Sequence, residues 1–310
     1  ELVDRRREQD SPDAVILVSH NGMEGDIKRA GVVSGLDAIL GGHTHDGIPK
    51  PVVVSNAAGR TIVTNAGSNA KFLGVLDLDF GTGGVTDFRY RLLPVFANLL
   101  EPDPAMAAYT AEVRAPYLDR LGEPLAVADQ LLYRRGNFNG TFDQVICDAQ
   151  RKVGDAQIAL SPGFRWGPSV LPGDTVTMER VMDQTCITYP ETYVQDMTGE
   201  QIKAILEDVC DNLFHPDPFY QQGGDMVRTG GLDYVCEPLA PSGQRISEMS
   251  LDDGTRLEPG KSYRVAGWAR VGSKAPGPPI WDVVAAYLRE REVVRIDKLN
   301  TPVLKGVGNN

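Results

Sequence analysis

Two short apolar runs, each ending abruptly in histidine and glycine, constrain this chain more than any other feature. Ala14 to Val18 runs into Ser19-His20-Asn21-Gly22, and Leu36 to Leu40 runs into Gly41-Gly42-His43-Thr44-His45. Continuous apolar runs of this length, bounded by turn residues, read as buried parallel strands. The stretch between them, Gly25 to Val33, reads as a helix. A β-α-β unit follows, and it carries polar residues to the C-terminal edge of a sheet, where sites in open α/β sheets gather. The chain has four histidines, and three of them, His20, His43 and His45, fall in this one region. A lone loop histidine is usually an ordinary hydrogen-bonding residue. Three on two neighbouring strand ends point instead to metal ligation, because imidazole binds divalent transition metals and strand-end loops can converge such side chains on one point. The flanking glycines let backbone crowd an ion. His215, in His-Pro-Asp-Pro, reads as a surface loop residue.

Further strands are predicted at Thr61 to Asn65, over the alternating segment Phe72 to Phe80, and at Val85 to Leu93. The first domain therefore spans 1–95. Residues 96–121 hold a connecting helix, patterned from Pro102 to Leu121, and 122–310 form a second domain. That domain opens with a helix after Thr141-Phe142-Asp143-Gln144, where a threonine hydroxyl and a glutamine three residues on can cap orphan amides reciprocally. The same signature recurs at Thr198-Gly199-Glu200-Gln201, ahead of an apolar stripe of Ile202, Ile205, Leu206, Val209 and Leu213. Strands near Ala156 to Leu160, Arg245 to Leu251 and Tyr263 to Trp268, with a last helix from Trp281 to Arg291, complete an α+β domain. The first ten residues read as the end of a charged helix, so the start at Glu1 looks like a cut.

A hydrophobic content of 42% over 310 residues supports two ordinary cores. A formal charge of -11 repels phosphate backbones and anionic lipid surfaces, which argues against nucleic acid or membrane as partners. No apolar run approaches the roughly 20 residues that cross a bilayer. The four cysteines, Cys147, Cys186, Cys210 and Cys236, lack the close spacing of a zinc ribbon and allow three disulfide pairings. Cys147 and Cys210, on apparent helices, read as free core thiols.

Ser19-His20-Asn21-Gly22 followed by Gly41-Gly42-His43-Thr44-His45 resembles the last two metal motifs of calcineurin-like metallophosphoesterases, in their 5'-nucleotidase branch. Within that branch, Ser161-Pro162-Gly163-Phe164-Arg165-Trp166-Gly167, Gln221-Gln222-Gly223-Gly224-Asp225-Met226-Val227-Arg228 and Val265-Ala266-Gly267-Trp268-Ala269 resemble the SoxB thiosulfohydrolases of bacterial sulfur oxidation. The fold implied is α/β, the C-terminal part of a metallophosphoesterase α/β sandwich joined by a helix to an α+β 5'-nucleotidase C-terminal domain. The activity implied is a periplasmic hydrolase with two divalent ions, manganese by resemblance, that releases sulfate from a cysteine-linked thiosulfonate on a SoxYZ-type sulfur carrier protein. Two metals about 3.5–4 Å apart activate a bound water and neutralise oxyanion charge.

By the same resemblance His20 and His43 would ligate one metal and His45 the other. Arg165 stands where nucleotidases keep an arginine for the substrate's anionic group, and a guanidinium can grip two of its oxygens. Arg228, in a Gly-rich loop, is a second candidate. Trp166 and Trp268 would shape an entrance, and Asp225 stands where nucleotidases carry one of the two rings that clamp a base. The chain departs from the family in having no Asp-x-His or Gly-Asn-His motif. The family's catalytic histidine and about half its ligands are thus expected upstream of His20, and the chain alone should not assemble a two-metal centre. The alternatives are a nucleotide phosphohydrolase of the same branch and a non-catalytic binding fragment.

Overall fold

The computed structural model of the chain describes residues 1–57, 59–163, 167–221, 224–270 and 275–307. It divides into two compact units, Glu1–Ala107 with His215–Gly223, and Ala108–Phe214 with Gly224–Asn310. Sequence patterning places the first boundary at residue 95 and keeps the second domain continuous. The packing differs on both points. Residues 215–223 leave the second unit and join the first, where Lys28 pairs with Asp217 and its ammonium lies 4.4 Å from the Phe219 ring centroid.

The first unit begins with α1 (Leu2–Asp10), β1 (Ile16–Val18), α2 (Met23–Val32) and β2 (Ala38–Gly41), followed by β3 (Val52–Asn56) and β4 (Gly59–Asn65). These strands form one sheet in the order β1-β2-β4-β3. β1 is parallel to β2 with Ile16 opposite Ala38, so the β-α-β unit stands as predicted. β3, which the sequence patterning does not reveal, pairs antiparallel with β4. Met23, Ala30, Leu36, Ile39 and Val63 make the core between α2 and the sheet, with Leu17 packed against it. β1 is less buried than its composition suggests. Successive side chains of a strand alternate between faces, so Leu17 turns inward while Ile16 is 45% and Val18 80% exposed. A long hairpin of β5 (Phe72–Gly81) and β6 (Gly84–Pro94) follows.

The predicted connecting helix is shorter and broken. α3 (Pro104–Arg114) runs into a 3-10 turn at Ala115–Tyr117, where Pro116 removes a backbone donor, and then α4 (Leu118–Leu121). α3 buries no residue.

The second unit continues with β7 (Pro124–Ala128), α5 (Thr141–Gly154), β8 (Ile158–Gly163), β9 (Thr175–Thr177), α6 (Met178–Thr185), β10 (Thr192–Thr198) and α7 (Gly199–Phe214). After the excursion come β11 (Asp225–Gly230), β12 (Leu232–Cys236), β13 (Ile246–Leu251), β14 (Ser262–Trp268), α8 (Ile280–Arg289), β15 (Val293–Val294) and β16 (Val303–Leu304). Its central sheet has the order β10-β14-β8-β11, with β14 and β8 parallel. α5 buries Phe142, Val145, Ile146 and Ala149 at helical spacing, against Val283, Val284 and Leu288 of α8. A second core gathers Ile202, Leu206 and Cys210 of α7 with Met226, Leu232, Cys236 and Val265.

One of the two predicted capping boxes forms as read. Thr198 N donates to Gln201 Oε1 at 2.8 Å, and Gln201 N to Thr198 Oγ1 at 3.2 Å. The other is built differently, because Gly140 is the N-cap of α5 and the Asp143 carboxylate accepts its amide at 2.8 Å. Only glycine fits there, since a Cβ would lie 2.3 Å from the Tyr133 carbonyl oxygen. Thr141 turns away and donates to the Leu131 carbonyl at 2.6 Å. Gln144 is buried and donates to Asp148 and Asn300 instead.

The second unit carries two cores of its own, and expressed from about residue 115 it should unfold in a single cooperative calorimetric transition. A product without fixed tertiary structure by near-UV circular dichroism would show that it depends on the first unit.

Candidate functional site

The parallel pairing of β1 and β2 sets the two histidine loops side by side. Ser19 N donates to the Leu40 carbonyl at 2.9 Å, extending the ladder past the strand ends. The His20 and His43 rings then stand 4.9 Å apart between centroids, tilted by 57°. A Cβ at Gly42 would come within 3.3 Å of His20 Nδ1, so the small residue keeps the backbone close under that ring. Gly22 has φ +86°, and a Cβ there would meet Thr44 Cγ2 at 2.9 Å. His43 and His45 themselves adopt φ of +76° and +59°. Left-handed backbone at non-glycine residues is costly and concentrates where structure is held for function.

Polar support lies directly behind these loops. Ser19 donates its hydroxyl to Asp26 Oδ1 at 2.5 Å and accepts from Asn21 Nδ2 at 2.8 Å. Burial pushes the Asp26 carboxyl above its usual range, and the Ser19 bond opposes that shift only in part. The second Asp26 oxygen and both amide atoms of Asn65 are buried without a hydrogen-bond partner among the described residues. They meet around Gly41, where a Cβ would lie 2.8 Å from Asp26 Oδ2 and 3.9 Å from Asn65 Nδ2. The strand ends thus collect polar groups that a metal-centred site would use. Among the described residues, however, no group of three or more histidine, cysteine, aspartate or glutamate side chains is close enough to hold an ion. The residues present fit part of a ligand set and do not complete a two-metal centre.

In the second unit the residues around the end of β8 form a buried ionic network. Arg134 Nε donates to Asp143 Oδ1 at 2.6 Å, and Arg228 Nε lies 3.5 Å from Asp143 Oδ2. Arg228 also donates to Asp225 Oδ2 at 2.9 Å and to the Gly136 carbonyl at 2.8 Å. All four side chains are fully buried. Two cations and two anions leave no net charge, which is the condition under which such a cluster survives burial. Arg134 further donates to the Pro162 carbonyl at 3.0 Å, and Gly163 pairs with Asp225 across the sheet. The network therefore fixes the strand that leads into Phe164-Arg165-Trp166. Those three residues lie outside the described residues, so the predicted roles of Arg165 and Trp166 rest on sequence.

Comparison with known proteins bears on the second unit first. Residues 126–277 match the model of the 5'-nucleotidase C-terminal domain. The fold is also that of the Thermus thermophilus sulfate thiohydrolase SoxB in complex with glycerol, at 39% identity and a TM-score of 0.89 over 99% of this chain and 57% of that one. Residues 126–277 thus carry a 5'-nucleotidase C-terminal domain. A 5'-nucleotidase precursor, also from Thermus thermophilus, shares the fold at 20% identity and a TM-score of 0.80, over 99% of this chain and 66% of that one. The trifunctional nucleotide phosphoesterase YfkN of Bacillus subtilis is 27% identical over 98% of the chain and 21% of its own length. The chain thus spans just over half of the SoxB protein and about a fifth of YfkN.

Three residues read as substrate-binding differ in setting from the sequence reading. Arg228 lies in strand β11, not in a loop, and its Nη2 donates to Asp225 and to the Gly136 carbonyl while its Nε lies 3.5 Å from Asp143. Asp225 is its partner and is itself buried. Trp268 is 3% exposed in the core against α5 and α8, with its indole N–H donating to Ser161 Oγ at 2.8 Å. Sequence reasoning misses Arg134, Asp143, Asp26 and Asn65. The one available signal is position, since Asn65 ends β4 as His20 and His43 follow β1 and β2.

Asp143→Asn should leave two buried guanidiniums short of a counter-charge and cost about 3–5 kcal/mol in denaturant unfolding of the second unit. In calorimetric titration with Mn(II), the chain should bind weakly and at no more than one equivalent, and His20→Ala with His43→Ala should abolish the signal. Two tight equivalents would mean that the ligands named here are not the limiting set.

Proposed function

We propose that this chain supplies the histidine-bearing strand ends and the substrate-binding domain of a thiosulfohydrolase, which releases sulfate from a cysteine-linked thiosulfonate on a SoxYZ-type carrier protein in the periplasm. The observation that carries this reading is the 39% identity to SoxB across 99% of the chain, against 20% to the 5'-nucleotidase precursor over the same extent. In the reaction, the oxygen of a water adds to the sulfur of the terminal SO3 group and the adjoining S–S bond breaks. The bonding pair leaves on the carrier sulfur, and sulfate departs with the water's protons released to solvent or a base. His20, His43 and His45 would be this chain's share of the ligands for two divalent ions, manganese by family resemblance. Such ions supply an activated water and neutralise the charge that builds on the attacked group.

Arg165 carries the substrate contact in this reading. A guanidinium offers paired donors to two oxygens of one anionic group, which a sulfonate presents as well as a phosphate does. The buried Arg134–Asp143–Arg228–Asp225 network holds the end of β8, the strand that precedes Arg165 in the sequence. No helix of the described residues is long and apolar enough to cross a membrane.

A nucleotide phosphohydrolase is the second reading, favoured by the 27% identity to the nucleotide phosphoesterase YfkN over 98% of the chain. It would use the same domain with a phosphate in place of the sulfonate. The loss of a clamping ring at Asp225 weighs against it, because base stacking on aromatic faces supplies much of the affinity for a nucleobase.

An enzyme containing this chain with a complete ligand set should turn over a protein-linked thiosulfonate well above a nucleoside monophosphate. In that enzyme Arg165→Ala should remove about 1.5–3 kcal/mol of bidentate binding and depress thiosulfonate turnover by tens to hundreds of fold. Arg165→Lys should recover part of the rate, since a point charge lacks the two-pronged geometry. A large fall in melting temperature with the rate retained would make Arg165 a structural bridge. Preference for the nucleotide would establish the second reading.

A further inference from the structure

The second core of the second unit contains two sulfurs that nothing in the activity uses. Cys210 lies on α7 and Cys236 on β12, both fully buried, and their Sγ atoms are 3.7 Å apart. The other two cysteines have no comparable setting among the described residues. Cys147 is buried under β11, where a Cβ on Gly230 would lie 2.7 Å from its own Cβ. Cys186 is exposed at the C-cap of α6. Of the three pairings that four cysteines allow, the tertiary structure therefore selects one partner pair.

We propose that Cys210 and Cys236 form a disulfide when the chain folds in contact with an oxidant of the disulfide class, such as a thiol–disulfide oxidoreductase or oxidised glutathione. The first thiolate attacks the oxidant's S–S bond and forms a mixed disulfide, expelling one thiolate. The second cysteine then displaces the remaining oxidant sulfur. The two protein thiols lose two protons and two electrons, and the oxidant leaves as two reduced thiols. Full burial of both sulfurs places the exchange in a partly open or folding chain, before α7 settles on β12.

The position of the bond gives it a structural consequence. The two cysteines are 26 positions apart, and the loop between them contains residues 215–223, the segment that leaves the second unit and packs in the first. Cys210 precedes the exit by one turn of α7, and Cys236 ends the second strand after the return. A cross-link here would fasten both ends of the excursion to the second unit's core. Closing a loop of this size removes entropy from the unfolded chain, and for a unit of this length it should raise the melting temperature by roughly 6–12 °C.

The test uses the full chain, held with excess oxidised glutathione at a denaturant concentration that opens the core reversibly, then returned to native conditions, alkylated under denaturation and digested with trypsin without reduction. Each cysteine falls on its own tryptic peptide: 136–151 for Cys147, 181–203 for Cys186, 204–228 for Cys210 and 229–245 for Cys236. The expected result is peptide 204–228 linked to 229–245 with the loss of two hydrogens, while Cys147 is recovered alkylated. The melting temperature should fall to that of the reduced chain on addition of dithiothreitol, and in Cys210→Ser or Cys236→Ser dithiothreitol should have no effect. Recovery of 204–228 and 229–245 as separate alkylated or glutathionylated peptides overturns the proposal, as does a link from either to Cys147 or Cys186. The peptide map needs only the unaltered chain, so it decides even if a serine variant fails to fold.

Discussion

Asp143 sits in the protein interior between Arg134 and Arg228, and much of the second unit is arranged around keeping that carboxylate satisfied. Its two oxygens receive Arg134 Nε and the Gly140 amide, so one side chain caps α5 and anchors a buried cation. Arg134 then reaches the Gln184 carbonyl at the end of α6 and the Pro162 carbonyl in β8, and Arg228 ties in Asp225 at the start of its own strand, β11, where Asp225 pairs with Gly163 of β8. Taking one charge away from such a set is far costlier than never having built it, because desolvation of the remaining ions is left uncompensated. The cluster therefore links the helix start, the central sheet and the strand that leads to residues 164–166 as a single unit of stability.

The first unit solves a different problem, that of presenting imidazoles on bare strand ends. The parallel register of β1 with β2 brings two loops level, but proximity of His20 and His43 also needs glycine at positions 22 and 42, and left-handed backbone at two histidines. That strain is offset by a tight polar frame of Ser19, Asn21, Thr44 and Asp46 around the loops. Asp26 and Asn65 sit behind Gly41 with hydrogen-bonding capacity to spare. A sheet edge finished in this way is poor as plain core, since buried polar atoms lacking partners destabilise a fold.

The covalent path of the chain crosses between the units more than once. Residues 215–223 pass from α7 into the first unit, dock through Lys28 with Asp217 and Phe219, and return to begin β11. β11 starts at Asp225, the residue that neutralises Arg228. The excursion thus begins beside one buried sulfur, Cys210, and ends at the buried ionic network, so both of its ends are set in the second unit's core.

How much of this is legible in the sequence follows from the range of each interaction. Local patterns are decisive where the contacts are local: the apolar runs ending in histidine, the helical stripe from Ile202 to Leu213, the Thr198–Gln201 capping box and the β5–β6 hairpin all stand where the residues place them. The motifs around Arg165 and the strand-end histidines are enough to reach the likeness to SoxB and to the 5'-nucleotidase C-terminal domain. Sequence reasoning fails where a residue's partner lies far along the chain. Thr141 has the pattern of a cap, but Asp143 takes that role because the arginines at 134 and 228 require its carboxylate inside. Arg228 and Trp268 read as loop and entrance residues, and both are interior because strands β11 and β14 flank β8. The proximity of Cys210 to Cys236, one pairing out of three, and the departure of residues 215–223 to the other unit belong to tertiary structure alone. Sequence spacing specifies which atoms can meet within a turn or a hairpin, whereas burial of a charge or a thiol is set by which distant segments close over it.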